Sequence, residues 1–173
     1  EALKGISDLE SVAGRFQYFI STSKITVIVD YAHTPDALSN VLNTIEGIRT
    51  RNEKLITVVG CGGNRDTTKR PIMANIASKI SDCTILTSDN PRFEKAEDII
   101  QEMLAGVEPQ NNRKVKIVVN RKEAIEAACE MAAENDIILI AGKGHETYQE
   151  IEGIKYPFDD FAIVKEILIK LNK

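Results

Sequence analysis

Arg65 and Arg92 are the residues of this sequence best suited to gripping an anion, because each guanidinium offers a planar fork that matches a carboxylate bidentately. Asp89 and Glu146 can accept an ammonium group, and Asn90 can serve either kind of partner. Such a set suits a zwitterion, with its carboxylate and amine held together. These residues lie in polar clusters that carry Gly or Pro: Asp30-Tyr31-Ala32-His33-Thr34-Pro35, Gly60-Cys61-Gly62-Gly63-Asn64-Arg65-Asp66, Asp89-Asn90-Pro91-Arg92 and Gly142-Lys143-Gly144-His145-Glu146. Both histidines of the chain, His33 and His145, fall within them. No nucleophile–base pair is evident, and no His, Asp and Glu set has metal-ligand spacing, so a bond-making step must draw groups from elsewhere. The glycine turn is neither GxGxxG nor a P-loop, since no GK[ST] follows it. Each cluster also has a plainer reading: a tight turn for 60–66, a helix start for 89–92, ordinary turn residues for the histidines and a surface charge for Lys143.

The elements around the clusters make the coincidence meaningful. Apolar runs rich in β-branched residues occupy 25–29, 55–59, 84–87, 114–119 and 137–141, and they are continuous, as in strands covered on both faces. A short leading strand is expected over 15–21, and 148–151 with 155–158 reads as a late hairpin or an antiparallel edge strand. Helical stripes lie between the runs: Leu38, Val41, Leu42, Ile45 and Ile48; Ile72, Met73, Ile76, Ala77 and Ile80; Ile99, Ile100, Met103, Leu104 and Val107; Ala124, Ile125, Ala128 and Ala132. A last helix is expected over 160–171. Thr34-Pro35-Asp36 offers a cap, a first-turn proline and an acid, and Asn90-Pro91 with Glu94 predicts a second start of the same kind. The fold class is therefore α/β: a mainly parallel sheet of about six strands with helices on both faces. Every cluster follows an apolar strand, so all of them fall along one edge of the sheet, where such folds bind ligands.

Composition narrows the partners. A chain of 173 residues fits one domain with a substantial core, and its net charge of −4, without a basic block, excludes nucleic acid and anionic membrane surfaces as natural partners. With no apolar run long enough to span a bilayer and no secretory leader, a soluble cytoplasmic protein is expected. The first residue, Glu1, suggests a piece of a longer polypeptide. The cysteines, Cys61, Cys83 and Cys129, are isolated and odd in number, which fits buried thiols in a reducing compartment.

Gly14-Arg15-Phe16-Gln17, the run Asp30–Pro35 with Asp36-Ala37, the 60–66 turn followed by Lys69-Arg70-Pro71, Asp89–Arg92 and Ala141–Glu146 together resemble the C-terminal domain of the Mur ligases. Within that family the resemblance is to the diaminopimelate-adding branch. It implies a Rossmann-like domain of a three-domain ligase, whose N-terminal UDP-sugar domain and central P-loop ATPase are absent from residues 1–173. It implies that ATP and Mg²⁺ are bound mainly by the central domain. There the carboxylate of UDP-N-acetylmuramoyl-L-alanyl-D-glutamate becomes an acyl phosphate, which the amine of meso-2,6-diaminopimelate attacks during peptidoglycan synthesis. By the same resemblance, Arg15, Asp30, Tyr31, His33 and Pro35 face ATP, with Asp30 toward the ribose. Arg65, Asp89, Asn90, Pro91, Arg92, Gly142 and Glu146 hold the amino acid. No catalytic residue or metal ligand is implied here, and the piece alone is expected to be inactive. Asn64 and Thr147 stand where relatives often carry Asp. Lysine-adding, folylpolyglutamate and cyanophycin-type ligases, or a non-catalytic binding module, are the rival readings. The favoured one requires Arg65, Arg92 and Glu146 to face a single small volume.

Overall fold

The computed structural model describes residues 15–173. A six-stranded sheet runs in the order β1-β2-β6-β3-β4-β5. Its strands are β1 (Gln17–Ile20), β2 (Thr26–Asp30), β3 (Leu55–Val59), β4 (Cys83–Leu86), β5 (Val115–Ile117) and β6 (Ile137–Ala141). β1 is antiparallel to β2, and every other pairing is parallel. This bears out the α/β class and the mainly parallel sheet. β3 and β6 are buried at every position, as their uninterrupted apolar sequences require. β5 is shorter than the 114–119 run suggested, because Lys114 closes a 3₁₀ turn (Pro109–Lys114) and the strand lies at the sheet edge.

Side chains alternate between two apolar layers. On one face Ile28, Leu55 and Leu139 pack against α1 (Pro35–Ile48), α2 (Lys69–Ile80) and α3 (Ala96–Leu104) through Leu38, Leu42, Met73, Ala77, Ile99 and Met103. On the other, Val27, Val58, Ile138 and Ile140 meet α4 (Arg121–Met131) and α5 (Asp160–Lys170) through Ile125, Ala128, Val164 and Leu168. Ile72 leaves its expected stripe and is exposed. α1 starts as its sequence dictates, with Thr34 accepting the Ala37 N–H and Pro35 in the first turn.

The second expected start fails. α3 begins at Ala96 without a side-chain cap, because the Asn90 side chain is engaged elsewhere and Arg92 takes a left-handed φ of 52° that no helix accommodates. The late hairpin, β7 (Tyr148–Ile151) and β8 (Ile154–Pro157), forms its own two-stranded sheet. Its loop is two residues, Glu152 and Gly153, at φ 50° and 75°, the doubly positive geometry of a type I′ turn.

The chain crosses from β2 to β3 to β4 over the α1–α3 face. It returns over the other face to insert β6 between β2 and β3. That reversal of order opens a crevice beyond the carboxyl ends of β2, β6, β3 and β4.

Candidate functional site

The four polar clusters meet in that crevice. A cleft of about 480 Å³ is lined by Arg65, Asp89, Asn90, Arg92, Gly142 and Glu146, with Tyr31 and His33 on its β2 side. Arg65, Arg92 and Glu146 thus face one volume. A Cβ placed on Gly62 would lie 2.9 Å from Arg92 Nη1 and 3.9 Å from Arg65 Cγ, so both side chains pass over the glycine turn.

Asn90 is the hub. Buried to 2 % exposure, it accepts at Oδ1 from Lys143 Nζ (2.9 Å) and from the Glu150 N–H (2.9 Å), and its Nδ2 donates to Glu146 Oε2 (3.0 Å). Asp89 Oδ1 accepts the Asn90 N–H at 2.7 Å, and its Oδ2 lies 2.7 Å from where a Cβ on Gly142 would stand. Gly142 has φ +117°, so both backbone and space demand glycine there. Lys143 is fully buried, which corrects its reading as a surface charge: Nζ bonds Asn90 and Glu146 Oε2 (3.1 Å), and burial without such partners would be prohibitive.

Arg92 is wired to the hairpin. Its N–H donates to Glu150 O (3.0 Å) and its carbonyl accepts from Glu152 N (2.7 Å). In the side chain, Nε lies 3.3 Å from Glu150 Oε2 and Nη1 donates to Gly63 O (2.9 Å). Arg65 is exposed, its Nη1 making only a long 3.4 Å bond to Asn64 O. The turn beneath it is fixed from behind. Fully buried Arg70 donates to Gly62 O (3.2 Å) and Glu94 Oε1 (3.0 Å), and Glu94 accepts the Asn64 N–H. Arg70, and then that N–H, hold the Glu94 carboxyl below its ordinary range.

The residues read as nucleotide-facing surround a neighbouring cleft of about 530 Å³, lined by Arg15, Asp30, Tyr31, His33 and Asn40 among others. Asp30 accepts the Phe16 N–H (2.6 Å) at one oxygen and the Ala32 N–H (2.8 Å) at the other, which fixes the loop leaving β2. Tyr31 and His33 border both clefts, their rings 4.4 Å apart. Burial, then the Glu146 and Asp89 charges, push the Tyr31 hydroxyl up, so it stays a neutral donor. Two named residues line neither cleft. Pro35 starts α1, and Pro91 presents its carbonyl to Gly63, where a Cβ would come within 1.9 Å of it. Gly14 lies outside the described residues.

Lys69, quoted from the sequence only as part of the Lys69-Arg70-Pro71 motif, and Tyr148 and Glu150 were given no site role there. Lys69 lines the first cleft and donates to His33 O at 2.7 Å. Tyr148 lines it too, and Glu150 holds Arg92. The two-residue alternation of β7 was the available signal, since Tyr148 and Glu150 share a strand face. Among the described residues no group of three or more His, Cys, Asp or Glu could hold a metal ion, and no helix is long and apolar enough to cross a membrane.

This geometry has known counterparts. The family model of the Mur ligase, glutamate ligase domain, matches residues 14–144. The UDP-N-acetylmuramoyl-L-alanyl-D-glutamate–2,6-diaminopimelate ligase of Cytophaga hutchinsonii is 59 % identical over 173 residues, 100 % of this chain and 35 % of that protein. The enzyme of the same name from Bacteroides thetaiotaomicron is 56 % identical over 167 residues, 96 % of this chain and 35 % of that one. A solved structure of a ligase bearing that name superposes with TM-score 0.85 at 41 % identity, covering 96 % of this chain and 33 % of its own. The chain therefore spans about a third of the length of the curated relatives it matches. Arg65, Arg92 and Glu146 share one cleft as the resemblance required, and the family model spans all six strands of the main sheet: this chain belongs to the Mur ligase family, as a glutamate ligase domain.

Proposed function

We propose that this chain is the amino-acid-binding domain of a three-domain, ATP-dependent ligase. That ligase joins meso-2,6-diaminopimelate to UDP-N-acetylmuramoyl-L-alanyl-D-glutamate in cytoplasmic peptidoglycan synthesis. The observation that carries the reading is the convergence of Arg65, Asp89, Asn90, Arg92, Gly142 and Glu146 on one cleft, in a chain whose relatives bear the name of that ligase.

The chemistry of the lining matches a diamine with two carboxylates. Asp89 Oδ2 and Glu146 Oε1 take ammonium groups, while Arg65 and the free N–H groups of Arg92 take carboxylates. Lys143 neutralises one carboxylate of the lining without entering the cleft. Tyr31, His33, Arg15 and Asp30 offer a rim to the nucleotide. The described residues do not fit Mg²⁺ or a triphosphate, having neither a ligand cluster nor a P-loop, and both are assigned to the partner domains of the full-length protein. The domain's contribution is placement: it presents an amine, pre-oriented, to an activated carboxylate formed elsewhere.

Arg92 sets the preference for diaminopimelate over lysine, which lacks the second carboxylate. Its guanidinium is already tied to Glu150 and Gly63, so a bound lysine leaves it only partly unpaired. The forgone charged hydrogen bond is worth about 1.5–3 kcal/mol, or roughly 10- to 150-fold in discrimination. In the full-length enzyme, Arg92→Ala is expected to raise KM for diaminopimelate by that factor and leave KM for ATP within about twofold. Unaltered diaminopimelate kinetics, or equal loss for both substrates, contradicts the reading. The purified chain alone is expected to release no phosphate from ATP, and measurable turnover by it refutes the division of labour.

A further inference from the structure

Under the floor of the cleft lies a charged pair that makes none of the proposed substrate contacts. Arg121 opens α4 and Asp160 opens α5, and both side chains are fully buried. They face each other fork to fork, Nε to Oδ1 at 2.9 Å and Nη2 to Oδ2 at 2.7 Å. The N–H groups left over point at the sheet: Nη1 donates to Ser88 O (3.3 Å) and Nη2 to Ala141 O (3.1 Å). Ser88 immediately precedes Asp89, and Ala141 immediately precedes Gly142. One rigid guanidinium therefore grips the last peptide before each of the two loops that carry most of the cleft's ligands.

The sheet cannot do this itself. β4 and β6 are not neighbours; β3 runs between them, and the last shared row is Leu86, Val59 and Ala141. Beyond it Gly60 packs against the 87–89 backbone, where a Cβ would lie 2.4 Å from Thr87 O, but no ladder bond ties the 89–92 loop to the 142–146 loop. Above the sheet they meet through the Asn90, Lys143 and Glu146 side chains, and beneath it through Arg121. Stability does not explain the pair either. A buried ion pair is commonly no better than apolar residues of the same volume, whereas the fork fixes distances that apolar packing leaves soft. Burial opposes the guanidinium charge, but Asp160 first, and Asp89 and Glu146 after it, favour that charge and raise its pKa.

We infer that Arg121, oriented by Asp160, is a positioning residue that fixes the spacing between the Asp89–Arg92 loop and the Gly142–Glu146 loop, and through it the fit of the amino-acid substrate. The substrate half of this inference rests on the function proposed above; the spacing half does not.

Three variants of the full-length enzyme test it. Arg121→Lys keeps the charge and loses the fork. Arg121→Met strands a buried carboxylate and is expected to unfold readily. The double variant Arg121→Met/Asp160→Leu removes both charges and is expected to melt higher than Arg121→Met. In Arg121→Lys and in the double variant, KM for diaminopimelate should rise roughly ten- to a hundredfold while KM for ATP stays within about twofold. Recovery of diaminopimelate KM in the double variant would show that the pair served stability alone, and overturns the inference. Amide hydrogen exchange needs no substrate: in Arg121→Lys, residues 88–92 and 141–146 should exchange at least about tenfold faster, with Gly63, whose N–H donates to Asn90 O, following them, and residues 41–48 of α1 should not change. Exchange that rises everywhere, or nowhere, also overturns it. If wild-type enzyme fails to use diaminopimelate but the exchange pattern is selective, the proposed substrate falls and the positioning role stands.

Discussion

A methyl group at Gly142 would press within 2.7 Å of Asp89 Oδ2, on backbone that already has φ +117°. Gly142→Ala is therefore expected to cost about 1–3 kcal/mol, seen as a melting temperature roughly 2–12 °C lower, and to weaken amino-acid binding as Asp89 is pushed aside. Cys61 lines the same cleft yet is inert, because burial pushes its thiol up to about 12. At pH 8 only about one molecule in ten thousand then carries the thiolate. Iodoacetamide should leave Cys61 unlabelled until the protein is unfolded, and rapid labelling of native protein, read by mass spectrometry, contradicts this. At this scale the sequence was informative where residue type is unusual for its setting. Glycines, forked cations and acids directly after apolar runs do not belong in plain turns. It was uninformative for Lys143, Arg70 and Arg121, which look like solvated charges in any linear pattern; their burial depends on which loops the sheet brings overhead.

The hairpin is the element whose role was hardest to foresee. Its strands were legible, but the attachment was not, because the backbone bonds and the isolated parallel bridge to Ile151 that join Arg92 to it leave no mark in the sequence pattern, and the Arg92–Glu150 ion pair follows from them. Glu150→Gln should loosen Arg92 and raise KM for diaminopimelate several-fold with ATP unaffected; an unchanged value would show that the Gly63 bond suffices. Glu152 bears a left-handed φ that Asn tolerates better, so Glu152→Asn, giving Asn-Gly, should stabilise the hairpin by up to about 1 kcal/mol, checked by thermal melting. Helix α3 makes the converse point. Its expected start at Asn90-Pro91 carried a sound capping pattern, and tertiary demand for the Asn90 side chain overrode it.

For the whole molecule, the parallel sheet and its two helical layers followed from continuous apolar runs alternating with helical stripes. The insertion of β6 between β2 and β3 did not, since strand order leaves no mark on local periodicity. Acid tests how the finished fold is tied together. Burial alone would raise the Asp82 carboxyl, but the Leu55 N–H and the Arg49 guanidinium more than offset it and hold it below its ordinary 3.8. A depressed carboxyl contributes stability above its unfolded pKa and loses it as pH falls through the folded value. Denaturant midpoints should therefore drop below about pH 4, and less steeply in Asp82→Asn. A midpoint independent of pH there would remove the role given to Asp82. The hairpin, finally, stands apart from the six-stranded sheet while its main chain holds Arg92, the arginine proposed to select the far end of the substrate. On that proposal, inheritance can rework one appendage, and with it the cleft's choice of amino acid, while the scaffold that folds the protein is left alone.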